Sequence, residues 1–323
     1  MKETEVKRMI MNCMPDYIMT KKEADKLRAL TGKNILDVEN FRDHVDRLDE
    51  VEAIIPPWRF KAEDLALFKN LKWIQTFSAG VNTLPLKEIR ERGILLTNSS
   101  GVHGPQMTDH IMGMVLSFAR ALLPSIRHQK EKNWKVDYPL TELTGKEMLI
   151  VGAGSIGQLL AKKAKAFDMR VIGLKRTVEE LPYFDEVREL EKLSESMKTA
   201  DYVVILAPLT KETRGLIGKE ELALMKEDAV LINLARGPLV DEAELIEVLK
   251  EKKIRGAGLD VFSREPLPED SPLWDMDNII LTPHLGGFSD VSNERSIALI
   301  AENIRRFYAG EKLKNIVDLE LGY

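Results

Sequence analysis

Short apolar runs closed by turn residues alternate along the first hundred positions with stretches of helical periodicity. RMIMNC, VEAIIP, WIQTF and ILLTN have the length and β-rich content of buried strands, and KKEADKLRAL carries its apolar positions at helical spacing. That alternation predicts an α/β domain with a parallel sheet. The rhythm resumes in MLIVGAG, RVIGLKR, YVVILAP, AVLINLA, GAGLDVF and NIILTP, six runs that predict a second, larger sheet buried on both faces. Between the two series, MTDHIMGMVLSFARALL predicts one long amphipathic helix, a spine connecting the domains. NERSIALIAENIRRFYAG predicts a last helix that ends at Gly310 and packs back on the first domain.

Length agrees with this division, since 323 residues exceed what one hydrophobic core usually organises. Lys and Arg number 47 against 52 Asp and Glu, a formal charge of -5, which argues against nucleic acid as the main partner. The single cysteine, Cys13, excludes an internal disulfide framework and a cysteine-rich metal cluster, and reads as core filler. The opening MKETEVKRMIMNCMPDYIM is charged and then only briefly apolar, too interrupted for a signal peptide or a membrane span, so a cytoplasmic protein with no membrane partner is expected.

Residues 149–157 read LIVGAGSIG, with Gly152, Gly154 and Gly157 in Gly-x-Gly-x-x-Gly spacing between a strand pattern and the helical QLLAKKAKAF. Each glycine has a reason in that setting: a tight turn at Gly152, close backbone approach to a pyrophosphate at Gly154, close helix-to-strand packing at Gly157. The free N–H groups of Ser155 and Ile156 would face the pyrophosphate at the helix N-terminus. At the end of the next strand, where a carboxylate would select NAD, stand Lys175, Arg176 and Thr177. Two cations there favour an adenosine 2'-phosphate, and hence NADPH over NADH.

Three further segments carry polar residues at the ends of apolar runs, where a parallel sheet presents its ligand crevice: LINLARGPLVDE with Arg236, GAGLDVFSREPLP with Asp260 and Glu265, and IILTPHLGG with His284. Hydride addition to a carbonyl leaves an oxyanion that needs a proton. Histidine is the side chain whose protonation changes near neutral pH. A carboxylate, Glu265, would orient the imidazole and stabilise its protonated form, and the fixed guanidinium of Arg236 would polarise a carbonyl and pair with an adjacent carboxylate. Each residue also has a plainer reading, His284 as a capping residue and Arg236 with Glu265 as a surface ion pair, and spacing alone does not decide. Asp109 and His110 are adjacent on a helix and face apart, so a structural role suits them better than an acid–base dyad.

Taken together, FSAGVNTL, NSSGVHGPQMTDH, ELTGKEMLIVGAGSIG, APLTKETRGLIG, LINLARGPLVDE, GLDVFSREPL, SPLW and TPHLGG resemble the D-specific 2-hydroxyacid dehydrogenases over nearly the whole chain. The resemblance implies two Rossmann-like α/β domains with a cleft between them: a flavodoxin-like substrate domain of residues 1–101 and 288–323, and a dinucleotide-binding domain of residues 102–287 inserted within it. It implies that His284 is the acid/base, Glu265 its partner and Arg236 the substrate-orienting residue. It further implies that the N–H groups of Ser78, Ala79 and Gly80 hold the substrate carboxylate, and that Pro208, Thr213, Leu234, Ala235, Asp260, Gly286 and Gly287 contact the cofactor, Asp260 near the nicotinamide carboxamide. The implied reaction is reduction of a small 2-oxo acid to a D-2-hydroxy acid, or its reverse, by a homodimer associating through the helix near Thr108. Lys175 stands where NAD-using members have Asp, which brings the chain nearest in pattern to the NADP-using glyoxylate and hydroxypyruvate reductases. A phosphoglycerate-dehydrogenase-type activity is an alternative that loses ground, because the chain ends soon after its last helix. A cofactor-sensing corepressor of the same fold is the other alternative, since such proteins can retain the catalytic three. Asp168 replaces a usual glycine at a helix end, where slight backbone strain is expected. Trp58, following a strand, is a candidate to close the substrate pocket, although an aromatic there is more often core. Trp134 matches a position that in some reductases of the family reaches into the neighbouring subunit's site.

Overall fold

In the computed structural model, which describes residues 9–16 and 18–322, the chain divides into two compact units, Met1–His103 with Ser289–Tyr323, and Gly104–Phe288. The charged opening MKETEVKR lies outside the described residues. No helix among those residues is long and apolar enough to cross a membrane. The first unit holds a parallel sheet of β1 (Met9–Asn12), β2 (Ile35–Asp37), β3 (Val51–Ile55), β4 (Trp73–Gln75) and β5 (Leu95–Thr97) in the order β2-β1-β3-β4-β5. Because strand side chains alternate between faces, Met9 and Met11 join one apolar cluster with Phe60, Phe68, Ile74 and Leu96, while Ile10 joins another with Trp73, Ile300 and Ile304. Cys13 lies in the first cluster, 2% exposed, and burial pushes its thiol up to about 12. The helix Lys21–Thr31 begins at a capping box of Thr20 and Glu23. Helix Ser292–Ala309 ends with Gly310 in the left-handed region, as its sequence requires, and packs within this unit.

The second unit carries a seven-stranded parallel sheet: β6 (Glu147–Val151), β7 (Arg170–Leu174), β8 (Glu186–Arg188), β9 (Tyr202–Ile205), β10 (Val230–Asn233), β11 (Gly256–Leu259) and β12 (Ile279–Leu281). Their order, β12-β11-β10-β9-β6-β7-β8, reverses direction between β6 and β9. At such a switch point the loops leave the strands' carboxyl ends in opposite directions and open a ligand crevice. Helices cover both faces, so β6 buries Met148 and Ile150 on one side and Leu149 and Val151 on the other.

Two strands exceed the sequence expectation. β2 buries fully only Ile35 and β8 buries none of its three residues fully, so neither produces an apolar run. The expected spine helix is also corrected. The helix Gly104–Ala119 stops where Ala121 adopts φ 50°, and a separate helix Leu122–Lys130 follows. Ile111, Met114, Val115 and Ala119 pack with Ile150, Val204 and Ile232, which makes the first of these helices part of the second unit's own core. Asp168 has φ 54°, the left-handed conformation expected of a residue standing for glycine.

Candidate active site

At the carboxyl end of β6 the chain turns at Gly152, with φ 110°, into the helix Ser155–Lys165. A Cβ at Gly152 would lie 2.5 Å from the Ala207 nitrogen, and one at Gly157 would lie 2.6 Å from the Gly152 carbonyl oxygen, so both positions are closed to any side chain. Gly154 differs, because no atom lies within 4 Å of where its Cβ would stand. No side chain caps this helix, and among the described residues the N–H groups of Ser155 and Ile156 have no protein partner. Uncapped donors beside open backbone fit the pyrophosphate of a nicotinamide dinucleotide.

Lys175, Arg176 and Thr177 follow β7. The Lys175 amide donates to the Arg188 carbonyl at 3.0 Å, which fixes the backbone, while its ammonium pairs with Glu179. The Thr210 hydroxyl and the residue's own amide hold the Glu212 carboxyl below the usual carboxylate range, with help from Lys211 and Arg176. Arg176 therefore stands near the turn after β9. There the Thr213 hydroxyl donates to the Pro208 carbonyl at 2.6 Å and accepts from the Thr210 amide at 2.8 Å.

The loops after β10, β11 and β12 meet. His284 Nδ1 lies 2.8 Å from Glu265 Oε2, and Glu265 Oε1 accepts the Phe262 amide at 3.0 Å, so the carboxylate is braced from behind. The carboxylate keeps the proton on Nδ1 and turns Nε2 outward, where among the described residues it has no protein partner. Nearly half of the His284 side chain (47%) is exposed, which leaves Nε2 open to a substrate. The histidine itself has φ 55°, held by its amide donating to the Asp260 carbonyl at 2.9 Å. Arg236 is half-buried; burial draws its guanidinium below the ordinary arginine value and Glu265 opposes that shift. Asn233 ties the turn, accepting from the Ala235 amide at 3.0 Å and donating to the Arg236 carbonyl at 3.0 Å. A Cβ at Gly237 would lie 2.0 Å from the Phe262 carbonyl, so the Arg236 loop rests directly on the backbone of the loop that carries Glu265.

Asp260 is 2% exposed, and its carboxylate accepts from the Leu285 and Gly286 amides, both at 2.8 Å, and from the Thr282 hydroxyl at 2.5 Å. It anchors the His284 turn from within. A Cβ at Gly286 would lie 2.8 Å from Leu234 Cδ2 and 2.9 Å from Asp260 Oδ2, so these positions form one tight contact, and the Gly287 carbonyl accepts from Gln106 at 2.8 Å. Thr282, which the sequence reading passed over, also lies 3.0 Å from His110 Nε2, whereas Asp109 turns to Lys163. The two neighbours therefore face different partners and make no dyad.

In the first unit, Ser78, Ala79 and Gly80 form a bend after β4. Each of their carbonyls is held: Ser78 O by the Thr76 hydroxyl at 2.7 Å and the Ser99 amide at 3.0 Å, Ala79 O by Asn98 at 2.8 Å, and Gly80 O by the Ser78 hydroxyl at 2.8 Å. Among the described residues, none of their three N–H groups donates to protein. Carbonyls tied away from one side of a bend leave its amides as an anion-binding nest. The pocket beside it is lined by Met14, Pro56, Pro57, Trp58, Thr83 and Leu84 with the bend itself, and no charged side chain lines it among the described residues. Trp58 is 42% exposed and faces this pocket, and Trp134 is 94% exposed in the second unit.

The family model of the D-isomer specific 2-hydroxyacid dehydrogenase NAD binding domain matches residues 112–286. A glyoxylate reductase of Korarchaeum cryptofilum is 34% identical over 294 residues, 86% of each chain. A D-3-phosphoglycerate dehydrogenase of Methanocaldococcus jannaschii is 36% identical over 253 residues, which cover 78% of this chain but 48% of that one, so the chain spans about half the length of this relative. Among solved structures, a D-isomer specific 2-hydroxyacid dehydrogenase from Xanthobacter autotrophicus in complex with NADPH and MES is similar at a TM-score of 0.86 and 32% identity, over 98% of this chain and all of that one.

Proposed function

This chain belongs to the D-isomer specific 2-hydroxyacid dehydrogenases, NAD(P)-dependent oxidoreductases, and we propose that it is the NADPH-linked reductase of a small, unphosphorylated 2-oxo acid such as glyoxylate or hydroxypyruvate. The observation that carries the reading is the His284–Glu265 pair with Nε2 turned outward. A bound nicotinamide supplies the hydride. Protonated His284 gives the Nε2 proton to the carbonyl oxygen as charge develops there, and Glu265 stabilises the imidazolium until that transfer. Arg236 polarises the carbonyl and pairs with the adjacent carboxylate. The N–H groups of Ser78, Ala79 and Gly80 hold the carboxylate, while Gly154, Ser155 and Ile156 receive the pyrophosphate. Lys175 and Arg176 support NADPH over NADH by charge alone. The likeness to glyoxylate reductases at 34% identity over 86% of the chain supports a small substrate without a phosphate, ahead of phosphoglycerate-dehydrogenase chemistry.

A homodimer accompanies this reading. Thr108 itself is buried, and the apolar side chains offered to a second copy lie further on: the helix Leu122–Lys130 buries none of its residues, and Leu122, Ile126, Trp134, Val136 and Leu140 are exposed. Turnover of NADPH and of NADH against glyoxylate, hydroxypyruvate, pyruvate and phosphohydroxypyruvate tests the enzyme reading. The expected result is fastest NADPH oxidation with the first two acids; negligible oxidation of either cofactor with all four would overturn the reading.

A further inference from the structure

Beneath the Ser78–Gly80 bend lies a polar cluster closed to solvent. Gln75, Thr97 and Asn303 are each 0% exposed and Trp73 is 1% exposed. Polar side chains so deeply buried are tolerated where every group is bonded, and here they are. Asn303 Nδ2 donates to Gln75 Oε1 at 2.9 Å and to the Lys314 carbonyl at 3.1 Å, and Asn303 Oδ1 accepts the Lys314 amide at 2.8 Å. The Thr97 hydroxyl accepts from Trp73 Nε1 at 2.8 Å and donates to Gln75 Oε1 at 2.8 Å.

This wiring leaves the Gln75 amide one orientation. Oε1 faces two donors, so Nε2 must point the other way, where it donates to the Thr76 carbonyl at 2.8 Å. A flipped amide would set Nε2 against Asn303 Nδ2, donor against donor. The Thr76 hydroxyl in turn holds the Ser78 carbonyl. A second route leaves Asn303 through the chain it fixes at Lys314. Asn315 bonds both backbone groups of Asn98, its carbonyl accepting the amide at 3.2 Å and its Nδ2 donating to the carbonyl at 3.3 Å; Asn98 Nδ2 then holds the Ala79 carbonyl at 2.8 Å. Both routes end on the carbonyls whose capture turns the bend's amides outward. Packing gives no reason for an amide at 303, since Ile297, Ile300 and Ile304 of the same helix already supply the apolar contacts.

We propose that Asn303, on the helix Ser292–Ala309, is a positioning residue for the anion-binding amides of Ser78, Ala79 and Gly80, acting through Gln75 and through Lys314–Asn315. The inference rests on the reading of that bend as the substrate-carboxylate site, and the experiment separates the two. Backbone amide resonances of Ser78, Ala79 and Gly80 are followed in the 15N-labelled full chain during titration with oxalate, beside steady-state kinetics with glyoxylate and NADPH. Asn303→Leu is compared with the packing control Ile300→Ala and with Asn315→Gly, which weakens the second route alone by deleting the side-chain bonds to the Asn98 and Ser100 carbonyls while keeping the backbone bond to Asn98, at a residue of φ 54° where glycine fits.

In the native protein the three amides shift with oxalate. In Asn303→Leu the oxalate dissociation constant and the KM for glyoxylate rise about tenfold, the scale of a lost hydrogen bond to a buried group, while NADPH affinity is kept. Because carboxylate binding serves ground state and transition state alike, kcat changes by less than about twofold. Asn315→Gly raises both constants about threefold without loss of Tm, and Ile300→Ala lowers Tm with both constants unchanged. Native amides that ignore oxalate would overturn the carboxylate reading of the bend. Amides that shift normally, with an unaltered oxalate constant in Asn303→Leu, would overturn the positioning role alone. Should Asn303→Leu not fold, Asn303→Ala, which removes the same side-chain bonds without adding bulk, decides by the same readings, and an unchanged constant there overturns the proposal.

Discussion

Glu265 meets His284 with one carboxylate oxygen, 2.8 Å from Nδ1, and the Phe262 amide with the other at 3.0 Å, so the carboxylate is held from behind as it holds the ring. Gln in its place keeps the shape and one acceptor but removes the charge that stabilises an imidazolium. In Glu265→Gln, kcat for reduction is expected to fall about 10- to 100-fold, within the usual contribution of general acid–base catalysis. An unchanged kcat in this variant would remove Glu265 from the proton transfer.

Gly286 is the point at which the His284 turn has no room for a methyl group. A Cβ there would press on Asp260 Oδ2 at 2.9 Å, and Asp260 cannot retreat because three donors hold it. Gly286→Ala is therefore expected to displace the turn, with a loss of about 1 to 3 kcal/mol in stability from overpacking. Activity should fall further than that loss explains, at least about tenfold in kcat measured well below Tm, because positioning errors at a reacting centre are costly. Unchanged kcat in a destabilised variant would show that the turn tolerates movement.

How much of this was legible in the sequence differs with the range of the interactions involved. His284, Glu265 and Arg236 stand at the ends of apolar runs, and a parallel sheet gathers such ends, so the strands that carry them were legible from local pattern. The glycines of LIVGAGSIG were legible for the same reason. β2 and β8 were not, because neither short strand forms an apolar run. Thr282, Asn98 and the Gln75–Asn303 contact were also invisible; the last joins residues 228 positions apart, and no local periodicity reports a partner at that distance. Asp260 is legible as a polar residue at a strand end, but the three bonds by which its carboxylate holds the 282–286 turn are not, because they join it to residues more than twenty positions away.

Lys175 and Arg176 offer a test of cofactor choice that leaves the catalytic loops untouched. Each charge-assisted bond to a 2'-phosphate contributes about 1.5 to 3 kcal/mol, so losing both should reduce kcat/KM for NADPH by at least about 100-fold. Lys175→Asp with Arg176→Ala should also raise kcat/KM for NADH, since the new carboxylate can accept from the ribose hydroxyls. Lys175 now pairs with Glu179, an exposed contact. Glu179→Gln should therefore strengthen NADPH binding by only about two- to fivefold, the usual scale of a surface ion pair. A double variant with an unchanged NADPH to NADH ratio would rule out this basic pair as the selector.

Asp201 makes the second unit's stability depend on acid. It lies just before β9 at the end of the sheet opposite the catalytic loops, and is 8% exposed. Burial pushes its carboxyl up, but the Lys226 ammonium, the Glu147 amide and Lys146 outweigh that and hold it below its ordinary value of 3.8. A folded value depressed below the unfolded one means that the carboxylate's contribution is complete above the unfolded value. The contribution is lost as pH falls through the folded value. Asp201→Asn leaves Lys226 without its buried partner and should lower stability at pH 7 by about 1.5 to 3 kcal/mol, the range for a hydrogen bond to a charged group. The difference in Tm between the two proteins should stay constant from pH 8 to about pH 5 and shrink as the pH falls below about 4, where the carboxyl of the unfolded chain begins to take up a proton that the folded one still refuses. Thermal melts of both proteins across that range decide the matter; a difference that persists undiminished at pH 3 would mean that shape at Asp201, and not its charge, stabilises the fold.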